Sequence, residues 1–126
     1  MAWRTRAGLL GVTLASAHNL AFTLHLLGDY RAARDLDEDT LTRWRRVLGD
    51  DDPETLRTAN NLAADLRALG DHQAARTLDE DTLTRRRRVL GNDHPDTLRS
   101  ATNLADDLRL LGDHQTAREW EKFVRP

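Results

Sequence analysis

Arginine and asparagine side chains recur along this chain at one fixed interval. The same spacing of forty-two positions separates the members of three pairs: Arg57 and Arg99, Arg67 and Arg109, Asn61 and Asn103. Guanidinium groups bind carboxylates through paired hydrogen bonds, and asparagine amides can bond to an extended peptide backbone. If these side chains share one surface, they favour binding of an acidic or carboxyl-terminal peptide segment. The alternative is that the arginines are solvated surface charges.

The chain lacks the usual residue sets for catalysis. It has no cysteine, its serines are Ser16 and Ser100, and it contains no glycine-rich phosphate loop. We therefore predict that it is not an enzyme, has no catalytic residues, uses no cofactor and acts on no small-molecule substrate.

Histidines and clustered aspartates are the candidates for metal binding. They are His18 with His25, His72 with His114, and the run Asp35, Asp37 and Asp39. Two histidines are a weak zinc signal, and the aspartate run lacks the glycine and the bidentate glutamate of a calcium loop. We predict no metal site: the first histidine pair is expected to line a binding surface and the second to pack.

A run of basic residues, Arg85 to Arg88, is the best argument for nucleic-acid binding through phosphates. Against it, the net charge is −2, acidic residues precede the run, and no aromatic residues are interleaved with it. Nucleic-acid binding stays an alternative function. Arg86 takes the place that Trp44 has one interval earlier, so only its aliphatic stem is expected to pack.

Glycine and proline residues repeat at the same interval and mark the ends and starts of helices. Gly28, Gly70 and Gly112 share this spacing, as do Pro53 and Pro95, and three quarters of the positions from 53 to 76 carry the same residue from 95 to 118. Between these points apolar residues are spaced by three and four, which predicts pairs of helices joined by tight turns. The chain is therefore predicted to be an all-α, right-handed solenoid of about three helical hairpins.

The interval also divides the chain. We predict one repeat domain over residues 1–126, with an extension or partial helix at 1–10, a first repeat at 11–52, a second at 53–94 and a third at 95–126 whose second helix is truncated.

The repeated residues resemble the tetratricopeptide repeat, at Ala59, Leu62, Ala63, Leu66, Ala75 and Pro95. The unit is longer than usual, and Asn61–Ala63, Val89–Gly91 and Asp93–Asp96 are similar to the long repeats of kinesin light chains. Such arrays also occur in bacterial signalling ATPases, although this chain has no ATPase motif. One departure is Asp79, where the family pattern has Phe; we expect the neighbouring Leu78 to take over its packing.

The resemblance implies a protein-interaction scaffold in which the first helix of each repeat lines a concave groove. The peptide-binding residues that it implies are His18, Phe22, His25, Arg57, Asn60, Asn61, Ala64, Arg67, Arg99, Asn103, Asp106 and Arg109. An acidic peptide is the expected ligand, with an apolar anchor near Phe22. For the repeated asparagines, a structural hydrogen bond between helices is the alternative.

The two ends suggest a further role. Trp120, Phe123 and Val124 have no following helix to cover them, while Trp3, Leu9 and Leu10 are expected to shield the first hairpin. Exposed apolar ends favour weak self-association. A structural or oligomerising part of a larger signalling protein is therefore a second alternative function.

Composition gives only weak information about where in the cell the protein is found. No apolar run is long enough for a membrane span, which predicts no membrane association, and the absence of cysteine is compatible with a reducing cytoplasm. Arginine outnumbers lysine 18 to 1, as GC-rich codons would produce. We expect a cytoplasmic bacterial protein.

Overall fold

The computed structural model describes the backbone from residue 6 to residue 126 and the side chains from residue 14 onward. Over that range the chain forms six α-helices and no strand: α1 Arg6–Leu26, α2 Tyr30–Leu48, α3 Pro53–Ala68, α4 His72–Leu90, α5 Pro95–Leu110 and α6 His114–Val124. The all-α prediction is confirmed. The shielding predicted for Trp3, Leu9 and Leu10 lies outside the described side chains.

Each hairpin turn is built from the repeated Leu-Gly-Asp triplet. In the second hairpin, Gly70 has a φ of +86° and its amide donates to the Arg67 carbonyl, while the Asp71 amide donates to the Leu66 carbonyl. These two backbone hydrogen bonds form the Schellman motif that ends many helices. Glycine adopts the left-handed conformation that the motif requires without steric cost. The Asp71 side chain then accepts from the Ala74 amide at 3.2 Å and caps α4.

The turns between repeats are marked by proline. Pro53 and Pro95 occupy the first turns of α3 and α5, where an amide hydrogen is not needed. Asp52 caps α3 through the Glu54 amide at 2.9 Å, whereas His94 caps α5 through Nδ1, which accepts from the Asp96 amide at 3.0 Å.

Consecutive helices pack against each other along the chain, and α1 also approaches α3. The core between them is made mostly of small and medium residues, although Trp44 of α2 is also buried. One cluster consists of Leu83, Ala101, Leu104, Ala105, Leu108 and Ala117, and another of Leu41, Ala59 and Leu62. The first helices α1, α3 and α5 therefore lie along one side of the array, and α3 and α5 each pack against the second helix that precedes them.

The two ends of the array differ in how they are covered. Leu20 of α1 is 54% exposed, whereas its counterparts Leu62 and Leu104 are 6% and 3% exposed under the preceding helix. At the other end, Trp120 and Phe123 pack partly on the core, and the Arg87 guanidinium lies over both rings. Self-association through these ends stays a prediction. None of the six helices is long and apolar enough to cross a membrane.

Candidate functional site

The surface formed by α1, α3 and α5, here called the first-helix face, contains the residues predicted to bind a ligand. Side-chain bonds tie its helices together: the Asn103 amide donates to Asn60 Oδ1 at 2.7 Å, joining α5 to α3. An inter-helix bond of this kind is the structural role considered for the repeated asparagines. Asn103 therefore has a structural contact on this face, while Asn61 and Ala64 are half-buried beside it.

Arg67 is the most deeply placed of the predicted arginines. Its Nε donates to Asp107 Oδ1 at 2.6 Å and its Nη2 to Asp79 Oδ2 at 2.7 Å. The side chain is 21% exposed, and the two carboxylates are 0% and 1% exposed. Little of the Arg67 guanidinium is therefore open to a ligand carboxylate, because two of its sides already hold buried acids.

Asp79 occupies the position where the family pattern has an aromatic residue, and it is completely buried. The expectation that Leu78 would replace it was incomplete, since Leu78 is only half-buried at the edge of the core. Burial raises the pKa of Asp79 to about 9, the Asp107 carboxyl adds to the effect, and Arg67 opposes it. Asp79 therefore keeps its proton at neutral pH, while the Arg67 guanidinium lies between the two carboxyl groups.

The same arrangement occurs one repeat earlier with histidine in place of arginine. His25 is the counterpart of Arg67, Asp37 of Asp79, and Asp65 of Asp107, each one interval earlier in the sequence. His25 Nδ1 lies 2.7 Å from Asp65 Oδ1, and its ring packs edge-on against Tyr30. The imidazole reaches one carboxyl group only, that of Asp65, and Asp37 has no basic side chain in the place that Arg67 takes beside Asp79.

Asp37 and Asp65 form a buried acid pair, each 1% exposed. Burial raises the pKa of Asp37 to about 8, and the hydrogen bond and charge of Asp65 add to it. Burial also raises the pKa of Asp65. Apart from a proton shared between the two groups, the buried oxygens Asp37 Oδ1 and Asp65 Oδ2 have no hydrogen-bond partner.

A cavity of about 80 Å³ adjoins this acid pair. Its lining residues are Ala21, Phe22, His25, Asp37, Asn61, Ala64 and Asp65. The space is several times the minimum that one water molecule needs. It combines a floor of carboxyl groups, a wall formed by the half-exposed Phe22 and a polar neighbour in Asn61.

The third repeat has the basic residue and the second-helix acid of the same arrangement. Arg109 forms ion pairs with Glu121 of α6, the counterpart of Asp79, and with Asp106 of its own helix. Thus a basic side chain and an acid twelve residues later recur in all three repeats, and at the two inner junctions a second acid comes from the next first helix.

Two of the predicted arginines remain near the surface. Arg57 pairs with Glu54 at 2.7 Å and Arg99 with Asp96 at 2.9 Å, each three residues earlier on its own helix. Their side chains are 54% and 60% exposed. Exposed pairs of this kind contribute about 0–1 kcal/mol, so a ligand carboxylate can replace the acid at small cost.

The predicted residues of α1 separate into buried and exposed groups. His18 is buried, and burial followed by the nearby charge of Arg57 lowers its pKa. It is therefore a core residue rather than a groove residue. Phe22 and Leu26 are 51% and 69% exposed and form an apolar strip. Among the described residues, no group of three His, Asp or Glu side chains is arranged to hold a metal ion.

The second-helix arginine run does not form a continuous basic surface. Arg85 and Arg88 bind Asp51, at 2.9 Å and 2.8 Å, and Arg87 lies over Trp120 and Phe123. Arg86 is buried whole, not by its stem alone: its Nη1 donates to Ser100 Oγ at 2.9 Å and to the Asp96 carbonyl at 3.2 Å. Because these groups already have partners, the run gives little support to phosphate binding.

Comparison with known proteins places this architecture in a wider group. A family model described as the tetratricopeptide repeat matches residues 12–88 and again 54–122. No curated protein matches the chain.

Solved structures share the helical array. A crystal structure of nearly identical TPR-like repeats from Podosopora anserina, described as from a putative kinesin light chain, superposes with a TM-score of 0.82 and 28% identity, over 89% of this chain and 53% of that one. A point variant of it gives 0.79 and 30% over the same shares. BtubC (BKLC) from P. vanneervenii has the same fold, with a TM-score of 0.79, 21% identity and coverage of 89% and 45%. The chain thus spans about half the length of these structures.

Proposed function

Because the chain belongs to the tetratricopeptide repeat family, whose repeats generally mediate protein–protein interaction, we propose that its first-helix face binds an extended peptide segment of a partner protein. The observation that carries the proposal is the mixed character of this face. An apolar strip at Phe22 and Leu26 is followed by exposed arginines whose only partners among the described residues are acids of their own helices.

The ligand is proposed to carry carboxylates opposite α3 and α5. Arg57 and Arg99 hold equivalent positions in successive repeats, so an extended chain crossing the helices meets one after the other. A ligand acid that displaces Glu54 or Asp96 gains a charge-assisted hydrogen bond and breaks only a weak surface pair. Phe22 offers an aromatic contact for an apolar residue of the same segment.

An array of short synthetic peptides with varied charge tests the proposal. We expect retained peptides to be rich in Asp and Glu, and the double variant Arg57→Ala with Arg99→Ala to bind a selected peptide at least about tenfold more weakly, since hydrogen bonds to charged groups contribute about 1.5–3 kcal/mol each. Fluorescence anisotropy of the labelled peptide measures the change.

The matched control is Arg43→Ala with Arg46→Ala on α2. Arg43 also forms a helical surface pair, with Asp39 at 3.0 Å, but it lies outside the first-helix face. This variant should bind like the unmodified protein. Equal losses in both variants would mean that only overall charge matters, and an array without charge preference would contradict the proposal.

A further inference from the structure

We propose that the cavity at the junction of the first two repeats is a receptor for a guanidinium group, the side chain of an arginine carried by the bound peptide. The inference deepens the proposed function and rests on it, because the arginine belongs to the same segment. It adds a cationic residue to a ligand so far described as acidic and apolar.

The two inner junctions of this chain differ in the residue that lies beside their buried acids. At the second junction Arg67 reaches both acids, at 2.6 Å and 2.7 Å. At the first junction the acids are retained as Asp37 and Asp65, but the residue between them is the shorter His25. The guanidinium that completes the arrangement elsewhere is therefore missing from this site.

The exchange of arginine for histidine changes the chemistry of the first junction. Asp37 and Asp65 are each 1% exposed, and Asp37 Oδ1 and Asp65 Oδ2 have no hydrogen-bond partner. Both residues line the cavity of about 80 Å³. Buried acids gain most from a cation that also donates hydrogen bonds, and the planar guanidinium presents its donors to two carboxyl groups at once.

A ligand group can approach the cavity beside Phe22. Phe22 forms one wall and is half-exposed, so a guanidinium passing it can stack on the ring, as Arg87 does on Phe123 at 5.2 Å. Asn61 and Ala64 bring the cavity next to the peptide path proposed above. A lysine ammonium is a weaker candidate because it is a point charge without the paired donors.

N-acetyl-arginine amide is the probe that tests the pocket apart from any peptide. We expect saturable NMR shifts confined to the residues around Phe22 and Asn61. N-acetyl-citrulline amide, which keeps the shape but not the charge, should produce none. N-acetyl-lysine amide should bind more weakly than the arginine compound. Equal binding of the citrulline compound, or no saturable shift with the arginine compound, would overturn the inference.

The decisive variant is His25→Arg, which supplies the missing group from the chain itself. It should abolish probe binding and raise the melting temperature by about 5 °C, through contacts like those of Arg67. Undiminished probe binding by this variant would also refute the pocket. Asp37→Asn is the second variant, because it keeps the volume and removes one acid; it should weaken the probe at least tenfold.

The outcome separates the two proposals. If peptides bind through Arg57 and Arg99 but the arginine probe does not bind, the guanidinium pocket fails and the proposed function stands. If the probe binds and no peptide does, the pocket exists and the proposed function fails. In selected peptides, replacing a single arginine by citrulline should weaken binding to the unmodified protein. The same replacement should not change binding to the His25→Arg variant.

Discussion

Replacing Arg67 with alanine is expected to destabilise the fold by about 3–5 kcal/mol, because it leaves two buried carboxyl groups without their cation. That is a large part of the roughly 5–15 kcal/mol by which small domains are stable. Urea unfolding followed by circular dichroism measures the loss. The far-ultraviolet spectrum in the absence of urea shows whether the array still folds.

Arg99→Ala is the matched control for this experiment. It removes the same side chain from the exposed turn of α5 and breaks the pair with Asp96, so it should cost less than about 1 kcal/mol. Adding Asp79→Asn and Asp107→Asn to the Arg67 variant should recover part of the loss, since no buried charge then lacks a partner. A loss below about 1 kcal/mol for Arg67→Ala would show that water relieves the acids.

Stability is expected to fall as pH rises from about 5 to about 9. The pKa values of Asp37 and Asp79 are raised from 3.8 to about 8 and about 9 in the folded chain. Between these limits the folded protein holds protons that the unfolded chain has released, so the free energy of unfolding decreases with pH. Each such proton contributes a slope of about 1.4 kcal/mol per pH unit. Thermal unfolding in buffers across this range measures the slope.

Asp79→Asn should flatten the slope, because the amide resembles the protonated acid and does not titrate. At pH 9 this variant should melt higher than the unmodified protein. Asp35→Asn is the control, since Asp35 lies at the surface and its carboxyl group stays in water. A stability that rises between pH 5 and 9 would show that both buried acids are ionised at neutral pH.

The hairpins could be predicted because their signals are local. Gly70, Asp71 and Pro53 specify the end of one helix and the starts of two others through the backbone within a few residues. Those expectations are confirmed. The cap of α5 by His94 was harder to foresee, because histidine is not among the residues preferred at helix N-caps.

The buried acids could not be read from local patterns. Asp79 looked like a departure from an apolar position, yet its partners lie twelve residues earlier at Arg67 and twenty-eight residues later at Asp107. Only the stacking of repeats brings these groups together. One signal was available: an acid recurs at this apolar position in every repeat, always twelve residues after a basic side chain.

The sequence could select the first-helix face for the proposed binding, but not the exposure of its individual residues. The resemblance to a known repeat selected the first helices, and Phe22, Arg57 and Arg99 are indeed exposed on them. It could not distinguish Arg67 from Arg57, because both are arginines of α3. Which of them is buried depends on the acids contributed by α4 and α5.

The acid and basic groups at the junctions also bear on how such an array can change in length. Each inner junction takes its basic side chain and first acid from one unit and its second acid from the next, and each of these positions returns after one full repeat. A unit inserted or lost as a whole would carry its half of each contact with it, so neighbours remain interchangeable. An insertion or deletion of any other length would leave charged groups in the interior without their partners and would be disfavoured. His25 marks one junction as different, so the two inner junctions of this chain can be told apart.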